Sequence, residues 1–277
     1  MQNAISKLDD YITKYDKFIL STHESPDADG LGAEIAFHHL LKSIGKTALI
    51  INSDPIPDTL QYIDIDNEIQ LIDEIELPND IEEYAQFVLD TNDYDNIGNA
   101  YNVLKDKVQD LFIIDHHEGD QMKVESNLIK ADASSVCEMI YEIYKYYDIP
   151  LIFKAAQAIY TGMVFDTGSF KYPKTSSTTF AIAAECLELG VHPYTIFEHL
   201  YENNSLSSFE LRGMILSTME VFHGGRMIVM KLTPEMIESS GATFAEGEPA
   251  INLPLTVKGV IASILVKQSA GGPVKVS

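Results

Sequence analysis

The sequence predicts an α/β fold in which a mainly parallel sheet is flanked by helices, followed by a smaller α/β domain. Two observations predict this class. Short apolar runs typical of strands alternate with helical patterns over the first 190 residues, and within 187–204 the pattern changes to a helical stretch followed by short strands. We therefore expect one domain over 1–190, a helical linker over 191–222 and a second domain over 223–277.

The first domain begins with a strand, helix, strand unit, which is typical of a parallel sheet. An apolar run predicts a strand over 18–22, periodic apolar residues predict a helix over 31–43, and Gly45 is a suitable stop before a strand over 48–51. The alternation then continues. The remaining predictions are strands ending at 89 and 114 and helices over 134–146, 155–164 and 178–189.

The last part of the chain predicts a helix ending at Tyr201 and a long amphipathic helix over about 206–222. A turn follows at 223–226, and strands are predicted over 227–232, 257–266 and 274–277. About 70 residues are few for an independent core. We therefore expect a second domain that is smaller than usual.

Charge and composition exclude several classes of protein. The 277 residues include 19 basic and 42 acidic side chains, giving a net charge of −23, which disfavours binding to long nucleic acids or anionic membranes. No apolar run is long enough to predict a membrane span. The two cysteines, Cys137 and Cys186, are far apart, which suits a reducing cytoplasm. A small anionic substrate stays compatible, because a metal ion reverses the local potential.

Side chains of metal-ligand type follow apolar runs four times. Each of these runs is interpreted as a strand, including 163–165 before Asp166, although 155–164 also has a helical pattern. Because the carboxyl ends of parallel strands share one edge of a sheet, these side chains are expected to converge. They are His23, Asp90, Asp115, His116, His117 and Asp166.

The loop after the first strand adds Asp27 and Asp29, which alternate and so suit two neighbouring ions. The candidate ligands are His23, Asp27, Asp29, Asp90, His116 and Asp166. Two imidazoles and four carboxylates exceed the needs of one tetrahedral zinc; they suit two octahedral divalent ions, with Mn(II) favoured over Mg(II) and Asp90 as the bridge. Two metals about 3.5–4 Å apart are typical of in-line attack on phosphorus.

Several of these residues also have purely structural interpretations. Asp27 and Asp29 could cap the helix over 31–43, and Asp90 and Asp166 could belong to turns. His38 and His39 lie within that same helix, where we expect one to face the core and one the surface.

Four motifs in order give the sequence a family resemblance. PDADG at 26–30 and DHH at 115–117, with Asp90 between them and Asp166 after, resemble the DHH phosphoesterase superfamily, and almost the whole chain is similar to its NrnA-type branch of nanoRNases and pAp phosphatases. The resemblance implies a catalytic DHH domain, a DHH-associated C-terminal domain and two Mn(II) ions, with Mg(II) or Co(II) as substitutes. It assigns His23, Asp27 and Asp90 to one ion and Asp29, Asp90, His116 and Asp166 to the other.

The resemblance also implies roles beyond the metal ligands. His117 would donate to a phosphate oxygen or the leaving group, and Asp115 would orient an imidazole. Ser134 and Ser135 occupy the place of a small polar loop near the substrate. Arg212, on the long helix of the linker, is a candidate for steering a phosphate, with a surface salt bridge as its alternative.

The implied substrates are RNA oligonucleotides of about two to five nucleotides, which the negative charge tolerates, and 3′-phosphoadenosine 5′-phosphate. The family's glycine-rich GGGH segment is absent, and Gly271, Gly272 and Pro273 predict only a hairpin turn. We therefore expect a truncated chain or one without half of the substrate clamp. The alternatives are a phosphodiesterase for c-di-AMP, pApA or pGpG, a manganese pyrophosphatase or exopolyphosphatase, and a non-enzymatic nucleotide-binding regulatory module. The resemblance is also compatible with a homodimer.

Overall fold

A computed structural model describes residues 2–119, 127–268, 272 and 274–277. The chain divides into two compact units, Met1–Leu200 and Tyr201–Ser277. The division after Leu200 passes through the segment 191–222, and the domain bounds and helical linker expected from the sequence stay predictions.

The first unit is built on a six-stranded sheet in the order β3-β2-β1-β4-β5-β6, in which every pair of neighbours is parallel. The α/β prediction is therefore confirmed. Its strands are β1 (Lys17–Ser21), β2 (Thr47–Asn52), β3 (Ile69–Leu71), β4 (Tyr84–Leu89), β5 (Leu111–Asp115) and β6 (Asn127–Ile129). Its helices are α1 (Gln2–Lys14), α2 (Ala28–Ser43), α3 (Asn99–Leu104), α4 (Val136–Tyr146), α5 (Phe153–Asp166), α6 (Ser177–Glu188) and α7 (Pro193–Tyr201).

The central strands β1, β4 and β5 are largely apolar and buried because both faces of the sheet are covered there. In β1, the side chains of Phe18 and Leu20 join the core formed with α1, α2, α4 and α5. Ile19 points to the opposite face and joins a smaller core with α3. Close packing of α2 on α5 depends on small residues: a Cβ at Gly32 would lie 2.5 Å from the carbonyl oxygen of Ala158.

The strand order places a crevice at the ends of β1 and β4. The chain leaves β1 toward β2 on one side and leaves β4 toward β5 on the other, so the two following loops separate. Ligands bind at such a switch point in open parallel sheets. His23 and Asp90 follow these two strands directly.

The second unit has a four-stranded sheet in the order β10-β9-β8-β7, in which only the β8–β9 pair is parallel. Its core includes Leu211, Ile228, Met230 and Leu265. The elements are α8 (Leu206–Ser217), β7 (Glu220–Phe222), β8 (Met227–Leu232), α9 (Pro234–Ser240), α10 (Phe244–Gly247), β9 (Ala262–Gln268) and β10 (Val274–Val276).

Two predicted elements of the second unit differ from the structure. The helix expected to reach 222 ends at Ser217, because Glu220–Phe222 pairs with β8 instead. The strand expected from 257 begins at Ala262, after a 3-10 segment over Glu248–Thr256. Gly271 and Pro273 of the predicted hairpin turn lie outside the described residues.

Both cysteines are buried with free thiols, and the reducing compartment expected from them stays a prediction. Among the helices that the structure describes, none combines the length and the apolar character needed to cross a bilayer.

Candidate metal centre

The loop after β1 supplies His23 and Asp27. Asp27 caps α2, since its Oδ1 accepts hydrogen bonds from the backbone N–H groups of Asp29 (3.0 Å) and Gly30 (3.1 Å). Its other oxygen, Oδ2, lies 3.8 Å from Nε2 of His23. The capping and ligand interpretations are therefore compatible, because each uses a different oxygen.

Asp90 lies between two histidines at the end of β4. One carboxylate oxygen is 3.7 Å from Nε2 of His23, and the other is 3.7 Å from Nε2 of His116. The backbone of Asp90 has a φ of 62°, a conformation that Asp tolerates better than most residues. Its N–H donates to the carbonyl oxygen of Ile114 (3.0 Å), which fixes the strand end. Asp90 therefore lies between the two histidines, and its role as a bridging ligand stays a prediction.

His116 completes a second group with Asp29 and Asp166. Its Nε2 lies 2.9 Å from Oδ2 of Asp166 and 3.9 Å from Oδ2 of Asp29. Asp166 is the last residue of helix α5, so the strand predicted before it is wrong. A short apolar run cannot distinguish a buried strand from a buried helix, and the run before Asp166 belongs to a helix packed on α2.

Asp29 is fully buried at the N-terminus of α4. Its two carboxylate oxygens accept hydrogen bonds from the backbone N–H groups of Val136 (2.6 Å) and Cys137 (2.9 Å). A helix N-terminus stabilises negative charge, which compensates part of the cost of burial. Sequence reasoning missed this contact, because it joins residues more than 100 positions apart. Gly162 makes room for it, as a Cβ there would lie 2.9 Å from Oδ1 of Asp29.

His117 and Asp115 form a pair beside the two groups. Nδ1 of His117 lies 2.8 Å from Oδ1 of the buried Asp115, and the His117 side chain is 58% exposed. The imidazole oriented by Asp115 is thus that of His117. His116 instead has the carbonyl oxygen of Ala133 3.3 Å from its Nδ1.

These residues fit two divalent cations. The groups His23, Asp27, Asp90 and Asp29, His116, Asp166 each have ligand atoms within 4.8 Å of one another. Oδ1 of Asp90 and Nε2 of His116 are buried without a hydrogen-bond partner. Buried carboxylates are costly unless a cation or donor compensates them. The set of carboxylate oxygens and two imidazoles is one that hard divalent metals accept.

Without cations, the cluster retains protons. Burial raises the pKa of Asp29 to about 7, and burial with the nearby Asp29 raises that of Asp90 well above its usual range. Burial opposes protonation of the histidines, yet the neighbouring carboxylates raise the pKa of His23 to about 11 and of His116 to about 9. A cation at each group would displace these protons.

The predicted substrate-binding residues, Ser134, Ser135 and Arg212, form hydrogen bonds with other residues of the chain. The buried hydroxyl of Ser134 donates to Glu138 (2.6 Å), and that of Ser135 caps α4 by accepting from the N–H of Glu138 (3.0 Å). Both hydroxyls are therefore engaged within the fold. Arg212, whose alternative role is a surface salt bridge, donates from Nε to the backbone carbonyl oxygen of Glu246 (3.5 Å). In the second unit, the Arg212 guanidinium donates to Asn204 (2.6 Å) and lies over the ring of Phe209. Their roles toward a substrate stay predictions.

Sequence reasoning also missed a cation next to the centre. The ammonium of Lys174 donates to the carbonyl oxygen of His116 (3.3 Å). Its position after the turn that follows α5 gave no motif signal.

The centre opens on a cavity of about 640 Å³. Four of its lining residues are His23, Asp27, Asp90 and His117. The remaining lining residues are all polar or acidic, namely Glu24, Ser25, Thr91, Asn92, Asp93, Asn96 and Glu118. A cavity of this size accommodates a ligand as large as a nucleotide.

Comparisons with known proteins identify a family and several relatives. A family model described as the N-terminal domain of the DHH family matches residues 17–163. The bifunctional oligoribonuclease and PAP phosphatase NrnA of Bacillus subtilis is 28% identical over 256 residues, which cover 90% of this chain and 77% of the relative. The cyclic-di-AMP phosphodiesterase GdpP of Geobacillus thermodenitrificans is 23% identical over 290 residues, which cover 98% of this chain and 42% of the relative. An exopolyphosphatase-related protein from Bacteroides fragilis has a structure that matches with a TM-score of 0.89 and 26% identity, covering all of this chain and 82% of that one.

Proposed function

The chain belongs to the DHH family, and from this premise we propose that it is a two-metal phosphohydrolase. Its proposed substrates are very short RNA oligonucleotides, which it would hydrolyse to mononucleotides, and 3′-phosphoadenosine 5′-phosphate, which it would dephosphorylate to AMP. The observation that supports this best is the position of Asp90, whose two oxygens each lie 3.7 Å from a histidine of a different ligand group. A shared carboxylate is what two closely spaced metals require.

The residues that would hold the two ions form the two ligand groups described above. His23 and Asp27 would bind one, and Asp29, His116 and Asp166 the other, with Asp90 shared. When bound, two divalent ions, proposed as Mn(II), supply an activated water and neutralise phosphate oxygens. Asp29 would be held in place by the two amides of α4, so its carboxylate needs no reorganisation when substrate binds.

His117 is proposed as the proton donor. Because Asp115 binds Nδ1, the exposed imidazole keeps a fixed orientation and leaves Nε2 available for a phosphate oxygen or the leaving oxygen. The buried carboxylate of Asp115 would stabilise the imidazolium form, as the acid of a catalytic triad does. His117 lines the cavity.

The cavity supports a small substrate. It has room for about one nucleotide beside the centre, where the side-chain amide of Asn96 and the side-chain oxygen of Asn92 would contact a base or ribose. Glu24, Asp93 and Glu118 line the same cavity and disfavour further phosphates there. Together with the net charge of −23, these carboxylates favour a short oligonucleotide over a long one. The name of the Bacillus subtilis relative agrees with this class of substrate.

The test measures hydrolysis of pApA, of a 24-nucleotide RNA and of 3′-phosphoadenosine 5′-phosphate with Mn(II). We compare the wild type with Asp90→Asn and with Asp95→Asn, an exposed carboxylate that serves as the matched control. Expected is turnover of the two small substrates, lost in Asp90→Asn and kept in Asp95→Asn. Equal turnover of the 24-nucleotide RNA, or full activity of Asp90→Asn, would refute the proposal.

A second candidate is hydrolysis of cyclic or linear dinucleotides, including c-di-AMP and pGpG. The similarity to GdpP along nearly the whole chain favours it, and the same ligand groups would serve. Hydrolysis of c-di-AMP faster than of pApA would select this candidate over the first.

A further inference from the structure

A second cluster of ligand side chains lies outside the candidate metal centre. His38 and His39, on α2, both face Glu68, which precedes β3. The side chains are largely buried, with exposed fractions of 6%, 13% and 16%. The expectation that one histidine faces the surface is therefore wrong, because the segment before β3 covers both.

The distances within this cluster suit a tetrahedral ion. Nδ1 of His38 lies 3.1 Å and Nε2 of His39 lies 3.5 Å from the same oxygen, Oε2 of Glu68. One ligand atom from each residue falls within 4.8 Å of the others. Ligands about 2.0–2.1 Å from a tetrahedral zinc are separated by about 3.3 Å, close to both measured contacts.

The hydrogen bonds of His38 also indicate a missing positive group. Its Nε2 lies 3.1 Å from the carbonyl oxygen of Ala48, which requires the proton to be on Nε2. A neutral imidazole then presents only a lone pair at Nδ1, directed at the carboxylate of Glu68. A cation between Nδ1 of His38 and the carboxylate of Glu68 would resolve this conflict.

We propose that His38, His39 and Glu68 form a zinc site separate from the candidate metal centre. Nδ1 of His38, Nε2 of His39 and Oε2 of Glu68 are its ligands, and water takes the fourth position. The hydrogen bond from Nε2 of His38 to Ala48 orients the ligand in the way that metal-bound histidines usually require. The ion would fasten α2 to the segment before β3.

Neighbouring charges limit the affinity of this site. The ammonium of Lys42 lies 3.3 Å from Oε1 of Glu68, which leaves Oε2 to the ion but adds positive charge. Lys154 also acts electrostatically on His39, although its ammonium pairs with Asp66. Because two of its three ligands are imidazole nitrogens, the site is expected to bind Zn(II) or Co(II) but not Mg(II), which prefers oxygen ligands.

The test uses Co(II) with the full chain, because tetrahedral Co(II) absorbs visible light much more strongly than octahedral Co(II). With the candidate metal centre first filled with Mn(II), expected is an intense band from one Co(II) per chain that disappears when Zn(II) is added. Glu68→Gln and His39→Gln should lose the band and bind Zn(II) at least about tenfold more weakly. The exposed His192→Gln serves as the matched control and should keep it.

A second measurement covers variants that fold poorly. In protein already filled with Mn(II), added Zn(II) should raise the melting temperature of the wild type and of His192→Gln, but not that of Glu68→Gln. Absence of an intense band in the wild type, or an unchanged band in both ligand variants, would overturn the proposal. Hydrolysis of pApA should be unaffected in Glu68→Gln, so failure here is distinguishable from failure of the proposed function.

Discussion

Replacing Gly162 by Ala tests how the packing of two helices sets the position of a candidate ligand. Gly162 lies on α5 against α2 and α4. A Cβ at this position would lie 2.4 Å from Sγ of Cys137 and 2.9 Å from both Cα and Oδ1 of Asp29. Asp29 is fixed by two backbone amides, and the short, fully buried side chain of Cys137 has little room to move. The neighbours must therefore shift.

Two effects oppose each other in this variant. Alanine stabilises a helix interior by about 1 kcal/mol relative to glycine. Overpacking a filled core costs about 1–3 kcal/mol, and contacts below 3 Å with three atoms place this site at the upper end. We expect the free energy of unfolding to fall by about 1–2 kcal/mol. Because Asp29 is displaced, we also expect at least about tenfold weaker binding of Mn(II).

The matched control is Gly213→Ala on α8, where no atom lies within 4 Å of the added Cβ. That variant should gain about 0.5–1 kcal/mol, because only helix propensity changes. Urea unfolding and Mn(II) titration of both variants measure the two quantities. Wild-type stability together with wild-type Mn(II) affinity in Gly162→Ala would refute the reasoning.

Combining Gly162→Ala with Cys137→Ala separates the two contacts. The smaller side chain removes the 2.4 Å clash but leaves the contact with Asp29. Stability is therefore expected to recover in part while Mn(II) affinity does not. Non-additivity in this cycle measures the coupling between the two positions.

Three further predictions concern the centre itself. Asp90→Asn, which tolerates the positive φ, should lower kcat at least about 100-fold and remove one bound Mn(II), as metal analysis and initial rates would report. His117→Gln should lower kcat by about 10²–10⁴ with little change in KM, and Asp115→Asn should lower it less; a change in KM alone would contradict the proton-donor role. In the chelated protein, the raised pKa values of His23 and His116 mean that the folded state binds more protons, so its stability should fall as pH rises from about 6.5 toward 9. Urea unfolding at constant ionic strength would measure this, and a stability that rises over that range would contradict it.

Much of the first unit could be predicted from the sequence because its strands are buried on both faces. Runs such as 18–20 and 111–114 are apolar throughout, as is typical of strands in a parallel sheet that helices cover on both faces. The second unit was harder to predict from the sequence, because whether a short segment forms a strand or a helix depends on the neighbouring strands with which it can pair. Glu220–Phe222 continues a helical pattern, yet it pairs with β8 because Thr218 ends the preceding helix.

The sequence by itself determined which residues assemble at the centre, because strand ends in a parallel sheet meet at one edge. His23, Asp90 and His116 follow from that rule alone. Only the tertiary structure decided how the remaining groups are held. Asp29 is bound by amides 107 and 108 residues away, and Asp166 arrives from the end of a helix. Such contacts depend on how helices pack across the sheet, and local periodicity contains no record of that packing.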